Sequence, residues 1–156
     1  MKANENPTIK IREISSSEEE IIAQAAELIS QYSWGEDYPI KPIDELHKVE
    51  YRVGVFSDEE LIAFGSVGRS LSPDGVDNDA LWIAHAVVIP KFRKKGIFNS
   101  IYQMQMTYAK SQEGRILACT DNPIIEKFFL VNSWKKIRET RDEAGDLSIV
   151  FEYETR

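Results

Sequence analysis

Val88-Ile89-Pro90-Lys91-Phe92-Arg93-Lys94-Lys95-Gly96-Ile97-Phe98 sets a knot of positive charge between two apolar segments. Lys91, Arg93, Lys94 and Lys95 are four cations within five positions of a protein whose formal net charge is -7. Just upstream, Leu81 to Ile89 is the most apolar run of the chain, and continuous hydrophobicity of that kind predicts a central strand buried on both faces. Just downstream, Gly96 opens a helix whose Ile97, Ile101, Met104 and Tyr108 recur on one face until Gly114 stops it. A strand, a basic loop and a helix mouth in that order offer an anion unpaired amides and the positive end of a helix dipole. Gly96 lets the backbone approach such a ligand closely. A solvated basic turn has the same composition, so the charge run alone does not decide between them. Neither Gly-x-x-x-x-Gly-Lys-Ser/Thr nor Gly-x-Gly-x-x-Gly occurs, which argues against a nucleotide-hydrolysing P-loop and a dinucleotide fingerprint.

Outward from that junction the chain alternates strand and helix patterns. Thr8 to Ile14 alternates isoleucines with charged residues and predicts a first strand. Ser16 and Ser17 each stand three residues before a glutamate, Glu19 and Glu20, a reciprocal capping pattern for a helix carrying Ile21, Ile22, Ala25, Leu28 and Ile29 on one face. Tyr32 to Pro42 reads as a loop, with a short helix near Asp44 to Lys48. Tyr51 to Phe56 and Leu61 to Val67 form a hairpin pattern, and Ser70 to Asp79 a longer surface loop. Ile116 to Cys119 is a short strand. Asn122 and Pro123 cap and start the next helix, and Trp134 to Arg141 with Leu147 to Tyr153 make a closing hairpin. The order is β-α-(α)-β-β-β-α-β-α-β-β, which predicts a mixed α/β sheet with helices on its faces.

Composition narrows the function classes. The 156 residues fit one continuous core, so the expectation is a flexible N-terminal tail over 1–7 and a single domain over 8–156. The acidic balance makes nucleic acid a poor partner unless basic groups are concentrated locally. No apolar run approaches membrane-spanning length, and the first nine residues lack a secretory core, so the expected location is the cytoplasm, away from membranes. Cys119 is the only cysteine, which excludes an intramolecular disulfide and a cysteine-rich zinc site; no metal is expected.

The stretch Val88 to Phe98 resembles motif A of the GNAT superfamily of acetyl-CoA-dependent N-acetyltransferases, whose usual form is Val-x-Pro-x-Tyr/Phe-Arg-x-x-Gly-x-Gly/Ala. Asn122-Pro-Ile-Ile-Glu-Lys-Phe-Phe-Leu-Val-Asn-Ser-Trp134 is similar to the family's Asn-x-x-Ala-x-x-x-Tyr-x-x-x-Gly-Phe motif at the same spacing. Element order agrees from residue 8 to 153. The resemblance implies a mostly antiparallel sheet splayed between strands 4 and 5, with helices on both faces. It also implies acetyl-CoA as the cofactor. Ala86, Val87 and Val88 would pair with the pantetheine amides as a ligand strand. Arg93, Lys94, Lys95, Gly96, Ile97, Phe98 and Asn99 would wrap the pyrophosphate, mainly through main-chain amides. Asn122 would contact the pantetheine arm, and Phe128 and Phe129 would pack along the cofactor.

Departures from the pattern bear on chemistry. Phe98 stands where motif A has a second small residue, so its ring either loosens the phosphate contact or turns into the core. Phe129 occupies the place of a tyrosine that in many relatives protonates the departing thiolate, which a phenyl ring cannot do. That substitution keeps open a second expectation, a catalytically weak acyl-CoA-binding sensor or regulatory module.

Direct transfer to a primary amine needs removal of a proton, because an amine with a pKa near ~10 is protonated at neutral pH. His85 is the candidate, the only histidine near the expected reaction centre. A bulge of the kind the family carries in this strand would reverse the alternation of side chains, so its face is not readable from sequence. Trp34, Glu36, Asp37 and Tyr38 are the candidate acceptor wall, carboxylates and aromatics suited to a cationic amine on a small molecule or peptide. Cys119 is either a thiol acid at the end of its strand or, as the commoner case, a small buried core residue. The oligomeric expectation is a monomer or homodimer.

Overall fold

A computed structural model describes residues 7–154; the expected tail lies outside the described residues except for Pro7. The strands are β1 (Ile9–Glu13), β2 (Tyr51–Ser57), β3 (Glu60–Gly68), β4 (Leu81–Val88), β5 (Ile116–Thr120), β6 (Trp134–Arg141) and β7 (Leu147–Tyr153). The helices are α1 (Glu19–Ile29), α2 (Pro42–Leu46), α3 (Ile97–Ser111) and α4 (Pro123–Val131). All seven strands form one sheet in the order β1-β2-β3-β4-β5-β7-β6. Every neighbouring pair is antiparallel except β4 and β5. None of the helices among the described residues is long and apolar enough to cross a membrane.

Two apolar layers cover the sheet, as its alternating side chains require. On one face, α3 and α4 bury Ile97, Ile101, Met106, Ala109 and Phe129 against Val53, Val67, Ile83, Val88 and Phe151. On the other, α1 and α2 bury Ile22, Ala25, Ile29 and Leu46 against Leu61, Phe64 and Val87. A smaller cluster of Trp82, Leu117 and Val150 closes the β5 end.

Local sequence accounts for most element boundaries, with two corrections. The serines do not cap α1: Glu18 is its N-cap residue, without a side-chain cap bond to the helix. Ser15 and Ser17 bond each other instead, at 2.9 Å. Glu18 reaches back to accept from the Ser15 amide at 2.8 Å and from Arg12 at 2.9 Å. The Arg12 guanidinium, and then that amide, hold the Glu18 carboxyl down to about 2. The buried face of α3 is also rotated from the predicted one. It runs through Ile97, Ile101, Tyr102, Gln105, Met106 and Ala109, with Met104 and Tyr108 only partly buried. The reason is a gap in the facing strand, at Gly65.

Candidate active site

The parallel junction at the middle of the sheet is short. Leu81 pairs with Ile116 and Trp82 with Leu117, and there the register ends. Beyond it β5 continues against β7 as far as Thr120, so the two halves of the sheet part and the β4 edge from Ile83 to Val88 faces no strand. An unpaired edge of this kind is a template for an extended ligand.

The same edge is bent. Ser66 pairs with Ala84 and Phe64 with Val87, so His85 and Ala86 together oppose the single residue Gly65. His85 takes φ 60°, the left-handed conformation that a bulged residue with a side chain adopts only under constraint from its surroundings. That constraint comes from α3. A Cβ on Gly65 would lie 2.5 Å from Ile101 Cγ2 and 2.9 Å from Gln105 Nε2, so only glycine lets the helix approach this closely. Gln105, 2% exposed, then donates to Ser66 O at 2.9 Å and to Ala84 O at 3.1 Å, satisfying the carbonyls that the bulge displaces.

After β4, a short 3₁₀ turn (Pro90–Phe92) leads into the basic loop. Lys94 and Gly96 have φ 63° and 82°, alternating with neighbours of negative φ, a conformation that gathers successive amides into a concave nest. The first helical amide of α3 to bond back is Ser100 N, on Gly96 O. Among the described residues, the amides from Lys94 to Asn99 donate to no protein acceptor. They border a cavity of about 310 Å³ that brings together the predicted residues Val88, Arg93, Lys94, Gly96, Phe98, Asn99 and Phe128. Phe98 neither leaves this cavity nor blocks it, its half-buried ring standing edge-on to Phe128 at 5.2 Å.

Several expected contacts are placed differently. Ile97 is a core residue, 9% exposed. The Arg93 side chain donates through Nε to Val88 O at 2.8 Å, so it braces the end of β4. The Asn122 side-chain oxygen accepts from the Ile124 amide at 2.8 Å and caps α4. Phe129 is buried against Trp134 and Phe151, at centroid distances of 4.8 and 5.3 Å, and does not line the cavity. Ala86 is the exposed residue of β4 and stands at the parted edge. Cys119 is exposed at the end of β5, which removes the expectation of a buried core residue.

The bulge turns His85 toward the α1 and α2 side. Its Nε2 lies 2.8 Å from Glu45 Oε1 and its Nδ1 2.5 Å from Ser66 Oγ. An ionised carboxylate only accepts, so Nε2 carries the hydrogen, and in the neutral ring Ser66 donates to Nδ1. Trp34 lies against this imidazole at 5.5 Å and against Tyr38 at 4.8 Å. Tyr38 donates to Glu143 Oε1 at 2.8 Å, joining the loop before α2 to the β6-β7 turn. Burial, and after it Glu143, push the phenol well above its usual range, so it stays a neutral donor. Trp34 thus meets His85 and Tyr38 backs Trp34, whereas Glu36 and Asp37 are exposed, Glu36 sharing with Tyr38 the lining of a cleft between α1 and α2. Glu45, Ser66, Gly65, Gln105 and Glu143 were not singled out by sequence; their partners lie 19 to 105 positions away in the chain.

Solved structures share this fold. A protein from Desulfovibrio desulfuricans described as an acetyltransferase of the GNAT family superposes with a TM-score of 0.68 at 12% identity, over 94% of this chain and 99% of that one. The chain has the GNAT fold. The ribosomal-protein-S18-alanine N-acetyltransferase from Escherichia coli matches the same GNAT scaffold with a TM-score of 0.69 at 9% identity, over 94% of this chain and 93% of its own. An aminoglycoside 6'-N-acetyltransferase complexed with coenzyme A does so with a TM-score of 0.69 at 14% identity, over 94% and 98%. No family model and no curated protein matches the sequence.

Proposed function

We propose that this chain is an N-acetyltransferase that binds acetyl-CoA and passes the acetyl group directly to a primary amine, with residues 8–156 acting as one domain. One observation carries the reading: the unpaired β4 edge is followed, after one short turn, by six successive amides, Lys94 to Asn99, that donate to no protein acceptor among the described residues, at the mouth of α3. A ligand that fits both must be extended and amide-bearing at one end and doubly anionic at the other. Pantetheine joined to a pyrophosphate has that form. The neighbours named as acetyltransferases, one of them holding coenzyme A, add support from outside the chain.

The chain's residues would then divide the work. Ala86 to Val88 orient the arm by main-chain pairing. The nest and the α3 dipole hold the diphosphate. Phe98 and Phe128 shield the arm from water on one side, and Trp34 and Tyr38 wall the acceptor side. No metal and no covalent intermediate is invoked; orientation within a ternary complex and removal of the amine proton supply most of the rate.

Two measurements test this. Acetyl-CoA at one hundred times its dissociation constant should stabilise the fold by about 2.7 kcal/mol, on the order of 5 to 10 °C in melting temperature. Free thiol should then appear with a primary amine. Absence of stabilisation would overturn acyl-CoA binding; stabilisation without thiol release across an amine panel would favour the sensor reading, to which the buried phenyl ring of Phe129 lends weight.

A further inference from the structure

Acetyl transfer needs a group that takes a proton from the acceptor nitrogen, and the ring of His85 is sealed from it. The side chain is 1% exposed, and both nitrogens are engaged inside the protein. What the ring holds in place is Glu45. We infer that Glu45 is the catalytic base of this site and that His85 and Ser66 are positioning residues that aim it; this rests on the acetyl-transfer reading above.

Four observations lead there. Glu45 keeps 19% of its side chain exposed while anchored, so it retains access that His85 lacks. Only Oε1 is used by the anchor, and Oε2 has no protein partner among the described residues. The anchor is directional, because the Ser66 hydroxyl on Nδ1 fixes the tautomer that presents Nε2–H to the carboxylate. The position is also right. With a diphosphate at the mouth of α3, an arm laid along β4 from Val88 to Ala84 covers about 13 Å at strand rise. Its reactive end therefore arrives at the bulge, beside His85 and the exposed Ala86.

Three other carboxylates on this side are engaged or line another cleft. Asp142 accepts from the amides of Ala144 and Asp146 and shapes the β6-β7 turn. Glu143 accepts from Tyr38, and Glu36 is exposed on a cleft between α1 and α2 whose lining does not include Glu45 or His85.

The step balances without any further reactant. Glu45 Oε2 takes one proton from the acceptor ammonium as the nitrogen lone pair attacks the thioester carbon and the C–N bond forms. Collapse of the adduct breaks the C–S bond, and the sulfur leaves with the electron pair. A second proton, made acidic by attack, passes from nitrogen to that thiolate. Glu45 then returns its proton to solvent.

Butylamine and hydroxylamine distinguish this role from simple anchoring, since the first is protonated at neutral pH and the second is largely free base. Rates with the two nucleophiles at saturating acetyl-CoA give a ratio that general folding defects do not move. In Glu45→Gln, whose amide oxygen still accepts from Nε2–H, the butylamine-to-hydroxylamine ratio should fall about 10²-fold. Glu45→Asp should recover part of it, and His85→Ala should lower it in the same direction. A ratio that stays at the wild-type value in Glu45→Gln overturns the inference, as does a wild-type protein that binds acetyl-CoA yet turns over neither nucleophile. Melting curves with acetyl-CoA on each variant separate these outcomes from failure of the cofactor reading, in which no stabilisation is seen even in the wild type.

Discussion

Gly65 acts through the atom it lacks. Its bare α-carbon lets Ile101 and Gln105 reach the β3-β4 ladder, and Gln105 in turn holds the carbonyls that the bulge sets free. The direction of His85 therefore depends on a residue that faces α3 and does not line the cavity. Gly65→Ala places a methyl 2.5 Å from Ile101 Cγ2, against a helix too well packed to yield freely. The expected cost is about 1–3 kcal/mol in urea unfolding. The acetyl-transfer rate should fall by more than the folded fraction does, because displacing Gln105 removes its bonds to the Ser66 and Ala84 carbonyls beside the bulge. Equal losses of rate and folded protein would mean that the bulge is held by its neighbours in the strand alone.

Among the elements, the loop between β3 and β4 shows how a long polar segment is kept in place. Arg138 on β6 forms a fork with Asp74, both bonds at 3.0 Å, and reaches Asp77 at 3.1 Å. Arg115 ties Asp77 to Glu152 on β7, at 2.6 and 2.8 Å. The Arg138 guanidinium holds the Asp74 carboxyl far below its ordinary value, against the opposing effect of burial. A carboxyl whose folded pKa is depressed contributes stability above its unfolded pKa of about 3.9, and that contribution is lost as pH falls toward the folded value. Asp74→Asn should thus cost about 1–2 kcal/mol at pH 7, with the gap from wild type narrowing as pH drops below ~4. A gap independent of pH would place the effect in loop shape. None of this loop's pairing is visible in the sequence, whereas the order of strands and helices is, because periodicity, Gly96 and the Asn122-Pro123 cap act within a few residues of themselves. The serine capping pattern misled because Glu18, with its longer side chain and Arg12 nearby, took the role of local acceptor. The rotated face of α3 and the direction of His85 escaped for one shared reason: both are set by Gly65, across the sheet-helix interface.

At the scale of the whole molecule, two electrostatic fields of opposite sign meet at the α3 mouth. Lys91, Arg93, Lys94 and Lys95 contribute four positive charges to a net of -7, so the remainder of the chain carries -7 - 4 = -11. A polyanionic cofactor is repelled by that remainder over distances that salt screens, the Debye length being about 10 Å at 0.1 M. At short range it meets exposed cations and the free amides of Lys94 to Asn99. Amide contacts are neutral and insensitive to salt, while the lysine contribution weakens as salt rises. Arg93 is committed to Val88 O, so Lys94 and Lys95 are the cations to remove without disturbing β4. Lys94→Gln with Lys95→Gln brings the net charge to -7 - 2 = -9. Calorimetry at low salt should show acetyl-CoA binding weakened roughly 3- to 30-fold, in keeping with two surface charge contacts. It should not be abolished, because the nest remains. The salt response should also weaken: added NaCl lowers binding to the wild type, where local attraction dominates, and lowers it less in the double variant, where Lys91 and Arg93 alone oppose the repulsive background. Loss of all binding would show that the lysines, not the amides, hold the diphosphate. An unchanged salt response would show that neither lysine faces it.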